Sequence, residues 1–102
     1  MPELLKPLST EQLMEIYKII ENMNEGSLNA YVTMAALGAA DSVPVDSITQ
    51  YIEGAHKFNL QLSKSIEQSG LDEAIKSKIE NCFNRIHETT IQILQSKQES
   101  TL

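Results

Sequence analysis

The sequence predicts an all-α fold, a four-helix bundle-like arrangement, on three observations. Apolar residues recur every three or four positions over most of the chain, the spacing of one helix face. Sustained apolar–polar alternation, the mark of a half-buried strand, is nearly absent. Glycine and proline fall where helices should start or stop, at Pro7, Gly26, Pro44 and Gly70. With 102 residues, 41% of them hydrophobic and 22% charged, the chain is too apolar for disorder and about the size of one domain, expected to span 1–102. Three Tyr, two Phe and no Trp leave a core built mainly from Leu, Ile, Ala and Met.

Pro2 and Pro7 make residues 1–8 an extended lead-in, expected to be flexible. Ser9 and Gln12 then have the spacing of a capping box, and Leu8 and Leu13 that of a hydrophobic staple. The first helix is expected over about 10–24, with Gly26 as a left-handed stop. Leu13, Ile16, Tyr17, Ile20 and Met23 form its apolar face.

The second helix, expected over about 28–41, carries YVTMAALGAAD at 31–41. Apolar side chains surround nearly all of it, with Asn29, Thr33 and Asp41 marking a narrow polar side. A helix apolar all round is expected at the centre of a bundle. Ala35, Gly38 and Ala39 are the positions expected to let a neighbouring helix approach, and Ala36 and Ala40 repeat the same spacing of four. A membrane span needs about 20 apolar residues, and this segment has about half of that.

DSVPVDS at 41–47 connects to a long helical hairpin, expected over about 45–69 and 72–96. The stripe of its first arm is Ile48, Tyr51, Ile52, Ala55, Phe58, Leu62 and Ile66. Asn59 and Ser63 border that stripe, where a polar side chain can fix register between helices. The second arm presents Ile75, Ile79, Cys82, Phe83, Ile86, Thr90 and Ile93, and residues 97–102 lack apolar periodicity and are expected to fray. At 1.5 Å per residue the two long helices run about 37 Å, and a hairpin of the two short ones covers about 60% of that seam. Ile91 and Leu94 broaden the apolar face where cover is lacking. A second copy of the chain is the simplest cover, so a homodimer is expected, with Phe83, His87, Ile91 and Leu94 as contact residues.

The net charge of -6 is uneven. Residues 1–51 hold seven acids and two bases, residues 52–102 seven acids and six bases. Without a basic stripe, nucleic acid is not an expected partner. The opening MPELLKP lacks a basic segment followed by an apolar one, so no secretory signal is read there, the cytoplasm is the expected location, and no membrane partner is expected.

Cys82, the single cysteine, lies on the inward stripe of the last helix and reads as a buried thiol. His56 and His87 read as surface or rim residues, and the runs HKFNL and HETTI lack the H-x-x-K-G pattern of histidine phosphotransfer domains. Glu53 and His56 have the Glu-x-x-His spacing of a di-iron bundle, but the second such motif is missing because Asn84 precedes His87. No catalytic, cofactor-binding or metal site is therefore expected, nor an enzyme. The leading expectation is a small cytosolic interaction module, an adaptor, chaperone-like or inhibitory regulator acting on another protein or on itself. The alternative is a binder of a small apolar ligand between helices, lined by Met14, Met23 and Met34. Phosphotransfer at His56 or His87 is a distant third.

Overall fold

Ser9 accepts the backbone N–H of Gln12 on its Oγ at 3.1 Å, and the Gln12 Oε1 accepts the backbone N–H of Ser9 at 2.9 Å. This reciprocal cap starts α1, Thr10–Glu21, in the computed structural model, which describes residues 8–100. Leu8 packs on the same cluster as Leu13, as the staple requires. The expected flexibility of residues 1–7 and 101–102 lies outside the described residues.

The chain then forms α2 (Glu25–Asp41), a single 3-10 turn (Val45–Ser47), α3 (Ile48–Glu67) and α4 (Glu73–Glu99). The first boundary differs from expectation. Asn24 accepts the Ser27 backbone N–H at 2.8 Å and so caps α2. Gly26 is thereby drawn into the first turn of α2, and no glycine among the described residues has a positive φ. Asparagine competes well for an N-cap, and here it overrides the glycine stop.

α4 is the central element, and α1, α2 and α3 each pack against it. Three clusters follow one another along its length. Leu13, Ile66 and Ile79 form the first, with Ile75, Leu62 and Phe83 around them. Ile20, Val32 and Cys82 form the second, and Ala40, Val43, Ile48 and Leu94 the third. α3 thus runs antiparallel to α4, with Ile66 near Ile79 and Ile48 near Leu94.

α1 contributes to the first two clusters and α2 to the last two, so the short helices follow each other along α4 and do not pair as a hairpin. This corrects the expectation of a seam only partly covered. The C-terminal half of α4 is roofed by α2, and Leu94 is wholly buried.

The central position expected for α2 is corrected as well. One side of α2 packs, through Val32, Ala36 and Ala40, and the other faces solvent. Because apolar residues surround nearly all of α2, its sequence does not distinguish the face that packs. α4 holds the centre despite many polar residues because several of those find partners on its neighbours. Arg85 donates to the Asn29 side chain of α2, Asn84 accepts from Asn59 at 3.1 Å, and Gln98 donates to Thr49 at 3.1 Å. Lys97 donates to the backbone oxygens of Val43 and Ala40 at 2.8 and 3.3 Å. α4 runs to Glu99, three residues past the expected end at about 96.

The molecule measures 46 × 38 × 16 Å along its principal axes. Its least dimension is about that of two helix layers, so each helix keeps an outward face. No helix among the described residues is long and apolar enough to cross a membrane.

Candidate functional site

The outward face of α2 carries three exposed large apolar residues, as does α3 with Tyr51, Phe58 and Leu60. Tyr31, Met34 and Leu37 are 45%, 72% and 50% exposed. Three residues along a helix turn through about 300°, so Tyr31 and Leu37 lie about 60° to either side of Met34. Between Glu25 and Asp41 the helix carries no charged side chain. Water therefore meets a flexible thioether flanked by an aromatic ring and an isobutyl group, with nothing ionic among them.

Gly38 belongs to this outer face. It is exposed, and a Cβ built on it would meet nothing within 4 Å. The expectation that Ala35, Gly38 and Ala39 form the helix-packing positions is corrected accordingly. Ala36 and Ala40 are buried, Ala35 and Ala39 are half-buried on the flanks, and Gly38 points away. Small side chains suit close approach to α4, and of the two alanine pairs spaced by four, the one in line with Val32 packs.

The expected contact patch on α4 has a different environment. Leu94 has no exposure and sits among Ala40, Val43 and Ile48. It is corrected from a surface contact to a core residue, because α2 and the start of α3 close over it. Phe83 packs on the Leu13–Ile66–Ile79 cluster and is half-buried, as are His87 and Ile91.

His87 meets His56 across the α3–α4 seam. The His87 Nε2 lies 3.0 Å from the His56 Nδ1, and the rings meet edge to face with centroids 4.9 Å apart and planes at 75°. The bond requires one of these nitrogens to carry the shared proton and the other to accept it. Asn59 and Asn84 form the neighbouring rung of the same side. A step of three residues forward from His56 to Asn59 matches a step of three back from His87 to Asn84, so both contacts express one antiparallel register. Burial lowers the His87 pKa below the ordinary histidine value, the His56 charge lowers it further, and Glu88 opposes the shift.

The pairing of the histidines is the feature that reading each helix alone misses. The available signal was Asn59, whose position beside the apolar stripe of α3 marks the polar edge of the seam. Once Asn59 is set opposite Asn84, the histidines follow.

Cys82 is 2% exposed and packed with Ile20 and Val32. Burial raises its thiol pKa, with Arg85 acting in the opposite sense, so the thiol stays protonated and unreactive at neutral pH. Glu53 is exposed, and no group of three or more His, Cys, Asp or Glu able to hold a metal ion occurs among the described residues. A shallow, open depression borders the end of α4 at Gln92, Ile93, Ser96, Lys97 and Ser100. Met14, Met23 and Met34 do not line it, and Met34 stands on the outside of α2.

No known protein family, curated protein or solved structure matches the chain. The fold places it in the class of all-α, bundle-like proteins, and any statement of function rests on its surfaces.

Proposed function

We propose that this chain is a helical interaction module that binds a second copy of itself through the outer face of α2. The observation that carries the reading is the exposure of Tyr31, Met34 and Leu37 on a helix without an internal charge. Contiguous exposed apolar surface costs solubility and marks interaction sites. Methionine adapts its shape to an opposing surface, and tyrosine is enriched in interface cores.

A second copy fits because the face is self-complementary about Met34. Two α2 helices packed antiparallel set Met34 against its own counterpart and Tyr31 against Leu37. Gly38, with open space above it, admits the partner helix closely. A parallel pairing would instead align Glu25 with Glu25 and Asp41 with Asp41, which like-charge repulsion disfavours. A stable interface buries about 800 Å² per partner. Three side chains on one helix supply less, so the association is weak and strengthens with concentration. Because each copy carries a net charge of -6, added salt should strengthen it too.

Sedimentation equilibrium between micromolar and millimolar protein tests the proposal. The expected result is a mass rising from 11.4 kDa toward twice that value, and a single 11.4 kDa species for Met34→Glu with helicity unchanged. A wild-type chain that stays monomeric at every concentration, or a Met34→Glu variant that associates as the wild type does, overturns it. In the first case a different protein becomes the partner to seek for this face.

A further inference from the structure

The histidine pair joins two ligand-type side chains from separate helices, and neither the fold nor the proposed self-association requires it to be histidine. We propose that His56 Nδ1 and His87 Nε2 form a two-point binding site for a late first-row divalent metal ion of tetragonal or octahedral preference, such as Ni(II) or Cu(II), with water completing the coordination.

The spacing argues for this directly. Imidazole nitrogens bind such ions at about 2.0–2.1 Å, so two of them at right angles on one ion lie about 2.9 Å apart, and at the tetrahedral angle about 3.4 Å. The observed separation is 3.0 Å. The hydrogen bond now sets that separation, and it is close to the spacing of two adjacent positions on a square-planar or octahedral centre, the geometry that Cu(II) and Ni(II) favour. The ring centroids are 4.9 Å apart with planes at 75°, so a small rotation of the exposed His56 ring turns both lone pairs toward one ion.

The surroundings fit a site completed by solvent. His56 is exposed and His87 half-buried, so the pair lies at an edge that water and an ion can reach. The Asn59–Asn84 hydrogen bond fixes the register of both helices one turn away. The ligand-bearing segments are therefore held in place before the ion arrives, and little ordering remains to oppose binding. No third ligand-type side chain converges among the described residues, so two imidazoles and water are the donor set.

Both nitrogens must offer a lone pair. The proton now shared between them moves to the far nitrogen of the same ring, and each imidazole stays neutral. Binding to the neutral pair thus releases no net proton, and no other bond is made or broken beyond the two metal–nitrogen bonds and displacement of two metal-bound waters.

The test uses the full chain with Ni(II) chloride, followed by isothermal titration calorimetry and by urea unfolding with and without the ion. The expected result is one Ni(II) per chain, a higher urea midpoint in its presence, and at least a tenfold weaker affinity in both His56→Gln and His87→Gln. Circular dichroism checks that each variant is folded. Should His87→Gln unfold, His56→Gln decides, since its side chain is exposed. Absence of binding by the wild-type chain up to millimolar Ni(II), or unchanged affinity in a folded His56→Gln, overturns the proposal.

Discussion

Lys97, on the last turn of α4, donates from its Nζ to the backbone oxygen of Val43 at 2.8 Å. The same ammonium reaches the oxygen of Ala40 at 3.3 Å, near the C-terminus of α2. Lys76, on the first turn of α4, does likewise for α3, donating to the oxygen of Glu67 at 2.9 Å. The end of a helix exposes unpaired carbonyls and the negative pole of its dipole, and a cation there is favourable. α4 thus supplies a cationic cap to each of the two helices that end beside it.

Lys97→Met should destabilise the fold by about 1–2 kcal/mol, since it removes two charge-assisted hydrogen bonds at a partly buried site. Lys76→Met should cost less, because it loses one carbonyl contact and a 3.7 Å ion pair with the exposed Glu73, and such surface pairs contribute little. Urea denaturation of the two variants checks the order. Equal losses would show that the second carbonyl bond of Lys97 adds nothing.

Leu94→Ala should cost about 2–5 kcal/mol, the range for truncating a fully buried leucine. The side chain has no exposure and packs among Ala40, Val43 and Ile48. Chemical denaturation reads the loss, and size-exclusion chromatography of the folded variant should show self-association unchanged. A variant as stable as the wild type would place Leu94 outside the core.

Gly38→Ala should stabilise the monomer by roughly 0.5–1 kcal/mol. An added methyl meets nothing within 4 Å, and alanine favours a helix interior over glycine by about that amount. Thermal unfolding at low protein concentration, where the monomer dominates, is the measurement. A loss of stability there would mean that the space beside Gly38 is filled.

The lowered His87 pKa gives stability a pH dependence of definite sign. The unfolded chain takes up a proton near the ordinary histidine pKa of about 6.5, and the folded chain only at lower pH. Over that interval the unfolded state binds more protons, so stability is full above about pH 6.5 and is lost as pH falls through the folded value. Urea midpoints measured from pH 7.5 downward should begin to drop near pH 6.5. The drop above the carboxylate range should flatten in the doubly substituted His56→Gln, His87→Gln chain. A persistent slope in that chain would assign it to other groups.

Local signals in the sequence were legible where the physics is local. Ser9 and Gln12 cap α1 within four residues of chain, and the apolar stripes of α3 and α4 locate both arms of the hairpin. Apolarity alone does not fix a helix's position. α2 has apolar residues on nearly all sides, yet it packs through one side only, because neighbours and not composition decide which face is covered. The covering of Leu94 was hidden for a related reason. It depends on Ala40 of α2 and Val43 and Ile48 beyond it meeting α4, contacts between residues about fifty positions apart. The histidine pair and the Lys97 cap join residues 31 and 54 or more positions apart. Nothing within either segment announces the other.

The three-residue joint between α1 and α2 sits beside one shared cluster, Ile20, Val32 and Cys82, that ties both helices to α4. Release of α2 from α4 takes apart the clusters of Val32 and of Ala40 and leaves Leu13, Ile66 and Ile79 together beneath α1, because that cluster contains no residue of α2. Partial opening of this kind precedes global unfolding in many domains. Native-state amide exchange should therefore resolve two tiers of protection, with the interior amides of α2 exchanging ahead of those around Ile79. Uniform protection across both regions would show that the molecule opens as one block.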